Sequence, residues 1–136
     1  MSLSTAIGAI KSRWVSQWGN TTPTAYENSI YNAVPGTSWV RLTVRPGASS
    51  QISLGAPSLD RHAGIVFVQI FTPLSQGAER SNWLADRAIP VFRKVNLNAS
   101  DCSVTFHVPY SISAETGGDD WFQVNVLCPY TLDEVT

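Results

Sequence analysis

The chain has 136 residues, 43% of them apolar and only 14% charged, with nine basic against ten acidic side chains. That length suits one domain with its own core, burying roughly two-thirds of its unfolded surface without metal or disulfide staples. A formal charge of −1 argues against a protein devoted to phosphate backbone, and no apolar run is long enough for a membrane span.

Met1-Ser2-Leu3-Ser4-Thr5 lacks the basic start and apolar block of a secretion signal, so a soluble, cytosolic chain is expected. Globular proteins carry about 25% charged residues, so this surface is unusually neutral, as suits packing against copies of itself. Cys102 and Cys128 have no metal-site spacing, and neither His62 nor His107 completes one, so two buried reduced thiols are expected.

Leu3, Ile7, Ile10, Trp14 and Trp18 form one stripe at helical spacing. Ser2 or Ser4 can cap the start, and Gly19-Asn20 stops the helix. Residues 19–36 read as a long loop anchored by Tyr26, Ile30 and Tyr31. Residues 39–45 alternate, with Val40, Leu42 and Val44 on one face and Arg41, Thr43 and Arg45 on the other, which predicts a half-buried antiparallel strand. Pro46-Gly47-Ala48-Ser49-Ser50 is expected to turn the chain, residues 51–54 to return, and Gly55-Ala56-Pro57 to break that strand. Residues 64–71 are apolar on both faces except at Gln69, the pattern of a central strand covered on both sides.

From Gln76 the period becomes helical, with Leu84, Ala88, Val91 and Phe92 on one face and Arg80, Asp86 and Arg87 off it. Pro90 should kink or end this helix. Residues 102–108 and 122–128 alternate as two further strands, with a polar arm over residues 111–119 and Pro129 as a stop. If that arm closes symmetrically about Glu115, Cys102 faces Cys128 and Phe106 faces Val124. The reading is one α+β domain over residues 1–136: an antiparallel sheet packed with an N-terminal helix and one central helix.

No catalytic constellation stands out. Asp60-Arg61-His62 is the best local candidate for a small hydrolase, since a carboxylate can orient an imidazole, but the segment reads more simply as a solvated turn. No nucleophile elbow, nucleotide-binding glycine motif or calcium loop is present, so neither enzymatic activity nor a cofactor or metal is expected. Seven of the nine basic residues are Arg, and the five Trp join them as favoured interface anchors, although at least half of the Trp should be core. Arg41, Arg45, Arg61, Arg80 and Arg87 are the candidate contacts to a neighbouring protomer or another assembly component.

Several segments resemble a known family when taken in order. They are Trp39-Val40-Arg41, Gln51-Ile52-Ser53-Leu54-Gly55, the stretch from Arg61 through Gly64 and Gln69 to Pro73, Gly77, Leu84-Ala85-Asp86 with Val91-Phe92, and Trp121-Phe122-Gln123-Val124-Asn125-Val126 with Pro129-Tyr130. Over residues 37–130 the series resembles the phage tail-terminator-like family, the minor tail or tail-completion proteins of long-tailed phages and prophages. The resemblance implies an α+β protomer that forms a hexameric ring, caps the tail tube, stops its polymerisation and prepares the head-joining surface. Its implied partners are itself, the tail tube protein and a head-completion protein, with no specific nucleic-acid binding and no membrane. It implies a place in the virion tail, reached from the host cytoplasm during assembly, and no catalysis. A head–tail joining protein is the alternative in the same class. A hydrolase using Asp60 and His62 is the alternative outside it.

Overall fold

The computed structural model describes residues 2–27, 29–32, 34–51, 59–74, 79–98, 102–116 and 121–135. Leu3's side chain, the return strand at residues 52–54, its break at 55–57, the helix start at Gln76 and the end of the polar arm at residues 117–119 lie outside that description. Among the described residues are two helices and seven strands, β1 (Thr24–Tyr26), β2 (Trp39–Gln51), β3 (Leu59–Pro73), β4 (Asn96–Asn98), β5 (Cys102–Phe106), β6 (Tyr110–Thr116) and β7 (Trp121–Val135), in one sheet ordered β1-β2-β3-β7-β5-β4, with β6 also pairing β7. This is an α+β fold. Its sheet is mixed, because β1 runs parallel to β2.

Helix α1 spans Ser2–Trp18. Its stripe buries Ile10, Trp14 and Trp18, with Ile7 packed at the edge. Gly19 closes it at φ 59, a left-handed conformation that suits glycine, and its N–H donates to the Val15 carbonyl. Strand β1, Thr24–Tyr26, lies inside the segment expected to be loop. Two tryptophan indoles fix this entry: Trp14 donates to Thr24 Oγ1 at 3.0 Å and Trp18 to Thr22 Oγ1 at 3.1 Å.

Strand β2 runs Trp39–Gln51 and β3 runs Leu59–Pro73, antiparallel to it. The expected turn at residues 46–50 is a register shift between Pro46 and Ser49 within one long strand. The two-versus-one count of a bulge absorbs the glycine and proline without reversing the chain. Burial along β3 alternates from Gly64 to Pro73, so only one face is covered by a second layer. The other face presents Ile65, Phe67 and Phe71 half-buried, where cover on both sides was expected.

Helix α2, Glu79–Phe92, buries Ser81, Leu84, Ala85, Ala88, Val91 and Phe92. Pro90 sits in its last turn, and the helix continues two residues beyond it. Strands β4, Asn96–Asn98, and β5, Cys102–Phe106, follow. Strands β6, Tyr110–Thr116, and β7, Trp121–Val135, form the far hairpin.

The hairpin exists, but not in the expected register. Cys102 faces Glu134 and Phe106 faces Tyr130, while Tyr110 faces Leu127 further out. The polar arm is strand β6 as far as Thr116, so the chain does not turn at Glu115. The error was even-numbered at β5, so Cys102, Val104 and Phe106 still share the buried face with Cys128, Tyr130 and Leu132. Pro129 does not stop β7. Its carbonyl accepts from the His107 N–H at 3.0 Å, so its own nitrogen points to the same side, at the gap between β5 and β6. The ladder to β3 loses nothing there.

Both helices pack on the buried sheet face. An aromatic series crosses this core: Trp14 stacks on Trp18 and on Phe92, Phe92 on Phe106, and Phe106 meets Tyr130.

Candidate functional site

The face of the sheet away from the helices carries the arginines that strand alternation put there. Arg41 lies opposite Gln69 and Arg45 opposite Ile65. Trp39 begins this face and is 7% exposed, held by Tyr31, Phe71 and Trp121 with ring centres 4.8, 4.2 and 6.1 Å away. Arg41 lies over Trp39 at 5.6 Å and Arg45 over Phe67 at 5.0 Å. Arg41 Nε and Trp39 Nε1 are buried without a hydrogen-bond partner among the described residues. Leaving such donors unmade is costly, about 1–3 kcal/mol each. Both guanidinium groups thus lie over aromatic rings of the same sheet face, the geometry of a cation–π contact.

Arg61 shares that face but is already occupied. It grips Asp133 with Nε 2.8 Å from Oδ1 and a second nitrogen 3.2 Å from Oδ2. That hydrogen bond, and then the Asp133 charge, raise its pKa above the ordinary arginine value. Arg61 therefore ties β3 to β7. Thr105, His107 and Thr131 line a shallow depression with this pair, and His107 Nε2 lies 2.9 Å from Thr131 Oγ1. His107 is thus a cross-strand partner of Thr131.

Asp60 and His62 lie inside β3, not in a turn. His62 Nδ1 is 2.6 Å from Ser49 Oγ, and its Nε2 is 2.6 Å from Glu134 Oε1. The acid against His62 Nε2 is therefore Glu134, contributed by a strand 72 positions away. A serine, an imidazole and a carboxylate in series is the order of a nucleophilic relay. Catalysis would also need a cleft and oxyanion donors aimed at one point. The trio instead spans β2, β3 and β7, outside the depression beside Arg61. Its evident effect is to clamp three strands.

Arg80 and Arg87 project from α2, whose opposite face is buried. Their guanidinium carbons lie 4.6 and 4.9 Å from the centre of the Trp83 ring between them. Cys102 and Cys128 are buried and form no disulfide, and desolvation pushes Cys128 up to about 12. Among the described residues no cluster of three or more His, Cys, Asp or Glu could hold a metal ion, and no helix is long and apolar enough to cross a membrane.

The family model for the phage tail terminator protein matches residues 5–130. The chain belongs to the phage tail terminator family. It is a structural phage tail protein. No curated protein matches it. Among twelve matching solved chains, one that carries no functional name superposes with a TM-score of 0.71 at 20% identity, covering 100% of this chain and 96% of its own. That likeness bears on the fold alone.

Strand alternation found Arg41 and Arg45. It did not find Trp39 as the centre of the aromatic cluster on their face, nor Trp83 between two arginines. The signal for Trp83 was present, because residues 80, 83 and 87 have the spacing of a helical stripe.

Proposed function

We propose that this chain closes the end of the tail tube as a ring of identical subunits, stops tube polymerisation and offers a surface for head joining. Membership of the tail terminator family over residues 5–130 is the observation that carries the reading. The fold supplies what such a cap needs. A long, cross-clamped sheet is rigid, and its outer face has stacked arginines with room for a partner's carboxylates or carbonyls. Arg41 and Arg45 are assigned to the contact with the tube end. Capping makes and breaks no covalent bond, so neither Asp60 nor His62 is required for chemistry. The partners are the tube protein on one side, a head-completion protein on the other and neighbouring copies around the ring, six by the family's pattern. Assembly takes place in the host cytoplasm.

Silencing this reading frame in a phage that carries it tests the proposal. Overlong tails and unjoined filled heads are expected, with rescue by the wild-type chain in trans. Normal tail lengths without the chain would refute it. The Arg41→Glu/Arg45→Glu variant should fold yet fail to rescue, since like charges across a contact cost several kcal/mol.

A further inference from the structure

Helix α2 buries one side and leaves the other uncovered. Leu84, Ala88 and Val91 hold it in the core, while Glu79, Arg80, Trp83, Asp86 and Arg87 are all exposed. Residues seven apart complete two turns and so lie in one row along a helix. Glu79 and Asp86 make one such row, Arg80 and Arg87 another, and Trp83 stands between them. Trp83 is 45% exposed, and the guanidinium carbons of Arg80 and Arg87 lie 4.6 and 4.9 Å from the centre of its ring.

The helix cannot pair these charges with one another. Ion pairs along a helix form between residues three or four apart, and neither Glu79 nor Asp86 has a Lys or Arg at that distance on α2. Among the described residues the ion pairs are Arg61 with Asp133 and His62 with Glu134, away from α2. The backbone of this face is fixed by the core beneath it, and both arginines already rest on Trp83. Ordering the face on a partner therefore costs little conformational entropy, and Trp and Arg are the residues that most often anchor interfaces.

The arrangement of charge selects the partner. Two acids on one side of Trp83 and two bases on the other sum to zero, so a partner of single sign would meet like charge on one row. A second copy of the same face meets opposite charge on both. A two-fold axis running along the helix, between the copies, keeps each residue's place along the axis and exchanges the two sides. We propose that two copies of this chain pair face to face through parallel α2 helices, with Trp83 on the partner's Trp83, Arg80 against the partner's Glu79 and Arg87 against the partner's Asp86. Symmetry makes each ion pair twice. An antiparallel pair would instead set acid against acid and base against base. One helix face is smaller than the ~800 Å² a side of a standard interface, so the pair is weak. A two-fold contact is satisfied by two copies and does not run around a ring. It therefore goes beyond the capping contacts, joining two free subunits or two rings.

Sedimentation of charge-reversed variants tests it. Wild-type chain should double in mass as subunit concentration rises through about 0.01–1 mM, and less readily as salt rises. Arg80→Glu/Arg87→Glu makes the face wholly acidic, and Glu79→Lys/Asp86→Lys makes it wholly basic. Each alone should associate on the order of a hundredfold more weakly, because like charges then face each other. An equimolar mixture should recover the doubling, since a wholly acidic face complements a wholly basic one. Circular dichroism checks that each variant folds. Where a reversal does not, the matching Gln pair takes its place and should weaken association about tenfold; an unchanged affinity would overturn the proposal. Wild-type chain that never doubles, folded reversals that double as wild type does, or a mixture that does not recover would overturn it too.

Discussion

Gly64 lies opposite Tyr130 on the buried face of the two central strands. A methyl group added at Gly64 would collide with the phenol end of that ring and lie 2.7 Å from its Cε1. Side-chain ends can often swing aside, but Tyr130 is 4% exposed and packs against Phe106 with ring centres 5.8 Å apart. Moving it would disturb the aromatic series that joins both helices to the sheet. Overpacking of this kind costs about 1–3 kcal/mol, against about 0.4–1 kcal/mol gained by stiffening the unfolded chain. Gly64→Ala should therefore destabilise by roughly 1–2 kcal/mol, a fall in Tm of about 3–8 °C for a domain this size. Urea unfolding with the Tyr130→Leu background completes a double-mutant cycle. Trimming the ring should remove most of the penalty of the added methyl, giving a coupling energy of about 1 kcal/mol. A Gly64→Ala chain as stable as wild type, or a penalty unchanged beside Leu at position 130, would refute the close-approach argument.

Lys94 holds φ 52 just beyond α2, a conformation costing a side-chain-bearing residue about 1 kcal/mol, so Lys94→Gly should raise thermal stability modestly in a melting experiment. Burial raises the Cys128 thiol from 9.0 to about 12 and also raises the Tyr130 phenol, with the Glu27 charge adding to the latter. Unfolding then releases protons, so stability should be full below pH 9.0 and fall as pH climbs towards 12, measured by urea titration across that range. His62→Ala should lower stability by loosening the clamp on Ser49 and Glu134 while leaving tail capping intact; loss of capping in a folded variant would contradict the structural role given to the trio.

The parts of the fold legible in the sequence were those set by local period. The α1 stripe and the alternation of Val40, Leu42 and Val44 need only the geometry of a helix and a strand. What failed was punctuation. Pro46-Gly47 and Pro129 read as breaks, yet both sit in long strands, one beside a bulge and the other with its nitrogen turned to a gap in the ladder. Strand β6 carried a local signal, since Tyr110, Ile112 and Ala114 alternate with Ser111 and Ser113, but its pairing with β7 had none. β1 is three residues long and held by indole hydrogen bonds from α1, a tertiary effect without a local signature. The arginines were legible as types on a polar face. Their partners were not, since Arg61 and Asp133 meet across 72 positions and only the sheet register brings them together.

Capping itself can be measured on tubes grown from purified tail tube protein, with lengths read by negative-stain electron microscopy. Added during growth, the chain should shorten the tubes in proportion to its concentration and leave a ring of density at one end. Tubes of unchanged length with bare ends, formed in the presence of folded chain, would contradict the role assigned to it.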